Sequence, residues 1–218
     1  LSGEVLTEAD ACGVPYAQLL DVARIEAMTG LRSVHTDAAH RWSDESAGFL
    51  GNLVFVDPAC EIASVVALAL PGLAHRGAVA VEAAHAGVVF RLIGAHLSLS
   101  QPLRWAQMRV IAQYIQRHSP MPTVLVGDLN IAPREDDVWD HKKLLKVVSH
   151  TPIEVDHLAE TQTAGNWVDI TRQDIPDGKL YSWWSYRARD WDAADKGRRL
   201  DHIWATDDIA HTGHSSRI

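Results

Sequence analysis

"TVLVGDLN", residues 123–130, reads as a fully apolar strand whose polar groups arrive only at its C-terminal end, at Asp128 and Asn130. Strands of this kind lie inside sheets covered on both faces, and α/β proteins place their sites beyond such strand ends. Asp128 and Asn130 stand two apart, which puts them on one face of an extended chain. The pair could cap the strand through an Asx turn, or fix a water and a phosphate oxygen or a hard metal.

Outward from this strand, the upstream half is rich in short β segments. "FLGNLVFV", "ASVVALAL", "GAVAVEA" and "VVFRLIGAHL" are β-branched runs separated by Pro, Gly or charged turns. They follow one another without intervening helices, which implies antiparallel pairing. Before them, Leu19, Leu20, Ala23, Ala27 and Met28 recur at helical spacing between Pro15 and Gly30. After them, Ser100 as N-cap and Pro102 open a helix with Leu103, Ala106, Val110, Ile111, Tyr114 and Ile115 on one face. Downstream, residues 132–177 are charged and irregular, with one helix expected through "DHKKLLKVV"; "KLYSWWSYR" and "RRLDHIWAT" are the last strands.

A chain of 218 residues, 47% hydrophobic, can bury a substantial core, and no repeat or linker divides it. One domain over residues 1–218 is expected. Cys12 and Cys60 make neither a metal-ligand spacing nor a disulfide framework, which suits a reducing, cytoplasmic setting. The longest apolar run, from Ile62 to Gly72, is too short to span a bilayer, and no membrane role is expected. A net charge of −8 disfavours holding nucleic acid by bulk electrostatics, so local patches must do that work.

Several chemically capable residues fall near strand ends. Glu8 in "LTEAD" is a surface charge or a metal ligand; His96 in "IGAHLSLS" is a hydrogen-bonded structural residue or a catalyst. In "RRLDHIWA", Asp201 and His202 are adjacent and therefore face opposite ways, which makes His202 structural. Trp183, Trp184, Tyr186 and Trp191 cluster with Arg187, Arg189, Arg198 and Arg199, a composition suited to stacking on a sugar or base and gripping flanking phosphates. Trp184 and Trp204 fit a sheet core better. Lys142, Lys143 and Lys146 form either a DNA-facing or a solvated helix face.

"VLVGDLNIAP" and "KLYSWWSYRARDWDAADKGRRLDHIWAT" closely resemble the exonuclease III branch of the endonuclease/exonuclease/phosphatase superfamily, which includes the abasic-site endonucleases. "LTEAD", "GNLVF", "RGAVAVEA" and "AHLSLS" are similar to its deoxyribonuclease I and sphingomyelinase-like members. The resemblance implies a four-layer α/β sandwich: two packed, mostly antiparallel sheets flanked by helices, here missing the first and last strands. It implies Glu8 as the ligand of Mg²⁺ or Mn²⁺ with Asp128 and Asn130 beside it. Asp128 would orient or deprotonate the attacking water, Asn130 hold the scissile phosphate, His96 donate to phosphate, and Asp201 orient a histidine in a terminal Ser-Asp-His motif. Trp183 and Leu200 match residues that line the pocket for an extruded abasic deoxyribose.

That motif is not among the 218 residues, and the chain opens at Leu1 inside an apolar segment. Truncation at both ends is expected, with little hydrolytic activity. The function implied is a divalent-metal-dependent DNA phosphodiesterase of base excision repair, a monomer acting on double-stranded DNA with abasic sites or 3′ ends. A phosphodiesterase or phosphatase on a lipid or small phosphoester, suggested by the first half and His96, is the alternative. A catalytically silent DNA-binding or protein-binding domain is the third.

Overall fold

A computed structural model of the chain describes residues 22–34, 52–72, 77–185 and 190–210. Its centre is a six-stranded sheet in the order β3–β4–β5–β6–β10–β7. These strands are β3 (Glu61–Leu68), β4 (Ala78–His85), β5 (Val88–His96), β6 (Thr123–Asp128), β7 (Val168–Asp169) and β10 (Asp201–Ala205). Every pairing is antiparallel except β5 with β6. A parallel pair needs a long crossover, and helix α2 (Gln101–Arg117) supplies it.

Period-two alternation divides each strand between two cores. Ala78, Ala80, Ile93, Ala95, Leu125 and Trp204 face α2 and α4 (Pro152–Ala164), packing with Met108, Ile111 and Leu158. Val79, Val81, Ala83, Phe90 and Leu92 face the other way, against the two-stranded β1 (Arg32–Val34) and β2 (Val54–Val56). This is the α/β sandwich expected, with a mostly antiparallel sheet covered by helices on one face and by a second sheet on the other. The terminal segments where missing strands were expected lie outside the described residues.

A third cluster joins Ala132, Val138, Leu144 and Leu200 with Trp139, Val147 and Trp183. It lies where α3 (His141–Leu144) meets the small sheet of β8 (Trp183–Trp184) and β9 (Gly197–Arg198). The remaining helices, α1 (Val22–Thr29), α5 (Ile170–Asp174), α6 (Trp191–Ala194) and α7 (Asp207–Ala210), are short.

Four sequence expectations need correction. The stripe expected of α1 is not buried: Ala23 and Ala27 are exposed and Met28 is 75% exposed. The buried face of α2 centres on Arg104, Gln107, Met108 and Ile111 rather than on Leu103, Ala106 and Val110. Its two polar members are buried because they tie loops to the helix. Arg104 donates to Ser98 O, Asn130 O and Glu154, and Gln107 links Ser98 N to Pro71 O. The "irregular" 132–177 region contains α4, opened by a capping box in which Thr151 and Glu154 exchange hydrogen bonds. Trp204 is fully buried as expected, but Trp184 is half-buried, with its indole N–H on Asp195.

Candidate functional site

Three strand ends meet at one edge of the large sheet. β5 and β6 run parallel, so both C-termini arrive there, and β10 runs back against β6, so its N-terminus does too. Register then fixes the residues: His96 pairs with Asp128, and Asp128 pairs with Asp201. An imidazole and two carboxylates thus form one row across three neighbouring strands. His96 Nε2 lies 3.5 Å from Asp128 Oδ2.

The backbone before Asp128 leaves little choice. Gly127 has φ +136°, and a Cβ there would lie 2.0 Å from Ala95 O, so only glycine lets β6 approach β5 just ahead of the aspartate. Beyond Asp128 the strand breaks. Asn130 takes φ +56° and its N–H donates to Asp128 Oδ1 at 2.8 Å, so the Asx turn is present. Asn130 Nδ2 donates to Leu97 O and Arg104 donates to Asn130 O, which holds this buried amide in place. Its side-chain oxygen is the end left for a ligand. The Asx turn therefore sets where this asparagine sits in the wall of a cleft.

His96, Asp128, Asn130 and Asp201 line a cleft of about 1030 Å³, together with Asn52, Ser149, Ser182, Trp183, Arg198 and Leu200. Trp183 is half-buried; Leu200 is 5% exposed and reaches the cleft from the third cluster. Ser182 Oγ accepts the N–H groups of Leu200 and Asp201, fixing the start of β10. Asn52 was not singled out from the sequence. Its Nδ2 donates to Gly77 O, the carbonyl that also takes His96 N–H, so it braces the histidine's strand end. A polar residue opening the apolar run "NLVFV" was the signal available.

Behind the row lies a second polar assembly. His202 is buried with Nδ1 3.1 Å from Arg199 Nη2 and Nε2 2.8 Å from Ile131 O. The carbonyl requires a donor at Nε2, so Nδ1 accepts from the guanidinium and the ring is neutral. Burial, reinforced by the Arg199 charge, pushes its pKa down to about 4. Arg199 also holds Asp169, and Asp137 pairs with Arg172 at 2.5 Å. Burial pushes the Asp137 carboxyl up, against the pull of Arg172 and Arg199.

Glu8 and Arg187 lie outside the described residues. Among the described residues, no group of three or more His, Cys, Asp or Glu is gathered to hold a metal ion. The oxygens lining the cleft at Asp128, Asn130 and Asp201 are nonetheless hard donors of the kind Mg²⁺ and Mn²⁺ take. Lys142, Lys143 and Lys146 stay at the surface, and Lys143 pairs with Asp140 at 2.7 Å.

A two-layered sheet whose adjacent strand ends carry a histidine, two carboxylates and an aimed asparagine defines an α/β-sandwich with a polar edge cleft. The chain belongs to the endonuclease/exonuclease/phosphatase family, which it matches over residues 36–218. Its fold is similar to an AP endonuclease from Archaeoglobus fulgidus, at TM-score 0.66 and 20% identity over 88% of this chain and 72% of that one. It is also similar to the 3′ phosphatase NExo from Neisseria bound to product DNA hairpin, at 0.64 and 22% over 88% and 72%. The AP endonuclease LMAP from Leishmania major aligns at 0.66 and 20% over 95% and 68%. At these identities the likeness is one of fold. No curated protein sequence matches the chain.

Proposed function

We propose that the chain is a divalent-metal-dependent phosphodiester hydrolase acting on DNA, of the exonuclease III and abasic-site endonuclease type. The observation that carries this is the row His96–Asp128–Asp201 on three adjacent strand ends, with Asn130 aimed into the same cleft. Asp128 takes the proton of, or orients, the water that attacks phosphorus in line with the leaving oxygen. Asn130 and His96 meet the phosphate oxygens on which charge develops. Asp201 holds the edge of the row opposite His96. Mg²⁺ or Mn²⁺, held by Asp128 and Asn130 oxygens with Glu8, would supply positive charge against the same oxygens. The DNA bound by one fold relative, NExo, supports a nucleic-acid substrate, and abasic sites or 3′ ends in double-stranded DNA are the substrates proposed.

The test is cleavage of abasic duplex, 3′-phosphate duplex, sphingomyelin and inositol phosphates, each with Mg²⁺, Mn²⁺ or EDTA. Metal-dependent cleavage of the DNA substrates, lost on Asp128→Ala, is expected. Faster turnover of the lipid or inositol esters would move the function to small phosphoesters. DNA binding without turnover of any substrate would make it a binding domain.

A further inference from the structure

Two histidines away from the cleft take no part in the proposed reaction. His141 opens α3, and the buried His150 stands just before Thr151, which caps α4. Their rings meet edge to face, with His141 Nδ1 2.9 Å from His150 Nε2. Each ring turns its other nitrogen to an oxygen. His150 Nδ1 lies 2.6 Å from Ala132 O, and His141 Nε2 lies 3.5 Å from a Glu135 carboxylate oxygen.

The oxygens decide where the ring protons sit. A carbonyl and a carboxylate only accept, so they call for an N–H at His150 Nδ1 and at His141 Nε2. Both facing nitrogens, His150 Nε2 and His141 Nδ1, are then left with lone pairs. Two lone pairs at 2.9 Å need a positive centre between them. A proton supplies it by making His141 an imidazolium beside Glu135; a metal ion supplies it with both rings neutral. An imidazole that binds a metal through one nitrogen typically donates the other N–H to a carboxylate or backbone carbonyl, and both rings are held in that way.

Distance and donor type choose the ion. Metal–nitrogen bonds of about 2.0–2.1 Å set two ligands about 2.9 Å apart at a right angle and about 3.3 Å apart at a tetrahedral one. The first matches the observed 2.9 Å, and the second asks for a shift of about 0.4 Å. His141, with 31% of its side chain exposed, has room for that shift and leaves a side open to water as further ligand. Imidazole suits Zn²⁺, Cu²⁺ and Ni²⁺, whereas Mg²⁺ takes oxygens.

We propose that His141 and His150 form a site for a borderline divalent ion, Zn²⁺, Cu²⁺ or Ni²⁺, distinct from the hard oxygens of the cleft. Glu135 and Ala132 O orient the two rings. The site stands independently of the DNA reading. Its effect falls on the cleft wall: His150 follows Val148 and Ser149, which line the cleft, and Ser149 O accepts the N–H of Ala132. An ion joining His150 to His141 braces that wall from behind by tying it to α3.

The test is calorimetric titration of the full chain with Zn²⁺, Cu²⁺ and Ni²⁺ in saturating Mg²⁺, for the wild type, His141→Gln and Glu135→Gln. The wild type should bind one more ion than His141→Gln, and Glu135→Gln should keep that ion about tenfold more weakly. The ion should raise the melting temperature of the wild type more than that of His141→Gln. Equal stoichiometry and affinity for the wild type and His141→Gln, or displacement of the ion by Mg²⁺, would overturn the proposal. A reading that needs no variant is the electron paramagnetic resonance spectrum of the wild type with one equivalent of Cu²⁺. Splitting from two imidazole nitrogens is expected, and a spectrum of oxygen ligands alone would remove the site.

Discussion

Arg198 and Arg199 are neighbours in sequence and opposites in surroundings. Arg199 turns into the protein, meeting Asp169 and His202 beside Asp137 and Arg172, in a cluster of buried charges of both signs. Arg198 turns into the cleft, and its guanidinium meets a carbonyl and an aromatic ring but, among the described residues, no carboxylate. The same division separates His202, neutral and buried, from Asp201, exposed at the cleft edge opposite Asp128. Charges paired internally fix where β10 lies. Charges left facing the cleft on the same stretch are available to a ligand.

Substitutions can break this comparison from either side. The largest effect is expected at Asp137, 0% exposed between two arginines, where Asp137→Ala strands buried cations and should cost about 3–5 kcal/mol in urea unfolding. A cost under about 1 kcal/mol would mean that the inner network does not hold the fold. On the cleft side, Asp128→Asn should lower kcat by about 10²–10³-fold, roughly 3–4 kcal/mol, with little change in melting temperature. Retention of most of the activity would remove the strand-end row from the chemistry.

Acid should act on the inner side. His202 titrates near pH 6.5 unfolded and near 4 folded, so across that window the unfolded chain binds the proton and the folded chain does not. Stability contributed by the neutral ring is complete above pH 6.5 and falls as pH drops towards 4, by about 3 kcal/mol in all. His202→Gln should flatten the dependence of urea midpoint on pH over this range; an unchanged slope would place the acid sensitivity elsewhere. Smallest of all, Arg198→Gln should change stability by less than about 1 kcal/mol while altering DNA affinity. A larger loss would make Arg198 a structural residue like Arg199.

Much of the sheet was legible from local pattern. β3, β4, β5 and β6 are runs of β-branched residues bounded by turn signals, and their antiparallel order follows from the lack of helices between the first three. Helix α4 escaped notice because its apolar residues make no stripe: only Glu154 and Leu158 are buried. The capping box Thr151–Glu154 was the readable sign. The buried face of α2 was misplaced because Arg104 and Gln107 are inside, and polar residues are buried only where partners await them. Those partners, Glu154 and Asn130 O for Arg104 and Pro71 O for Gln107, come from distant parts of the chain.

By itself, the sequence determined which residues are chemically capable and which strands carry them. It made Asp128 and Asn130 arrive at a strand end, and it made Asp201 and His202 face apart, because alternation along an extended chain is a local property. Only the tertiary structure decided that His96, Asp128 and Asp201 share one row, since that depends on strand order and register. It also decided that, among the described residues, Arg199 meets carboxylates and Arg198 meets a carbonyl and a ring instead. A charge's role depends on what surrounds it, and those surroundings are assembled from residues remote in sequence.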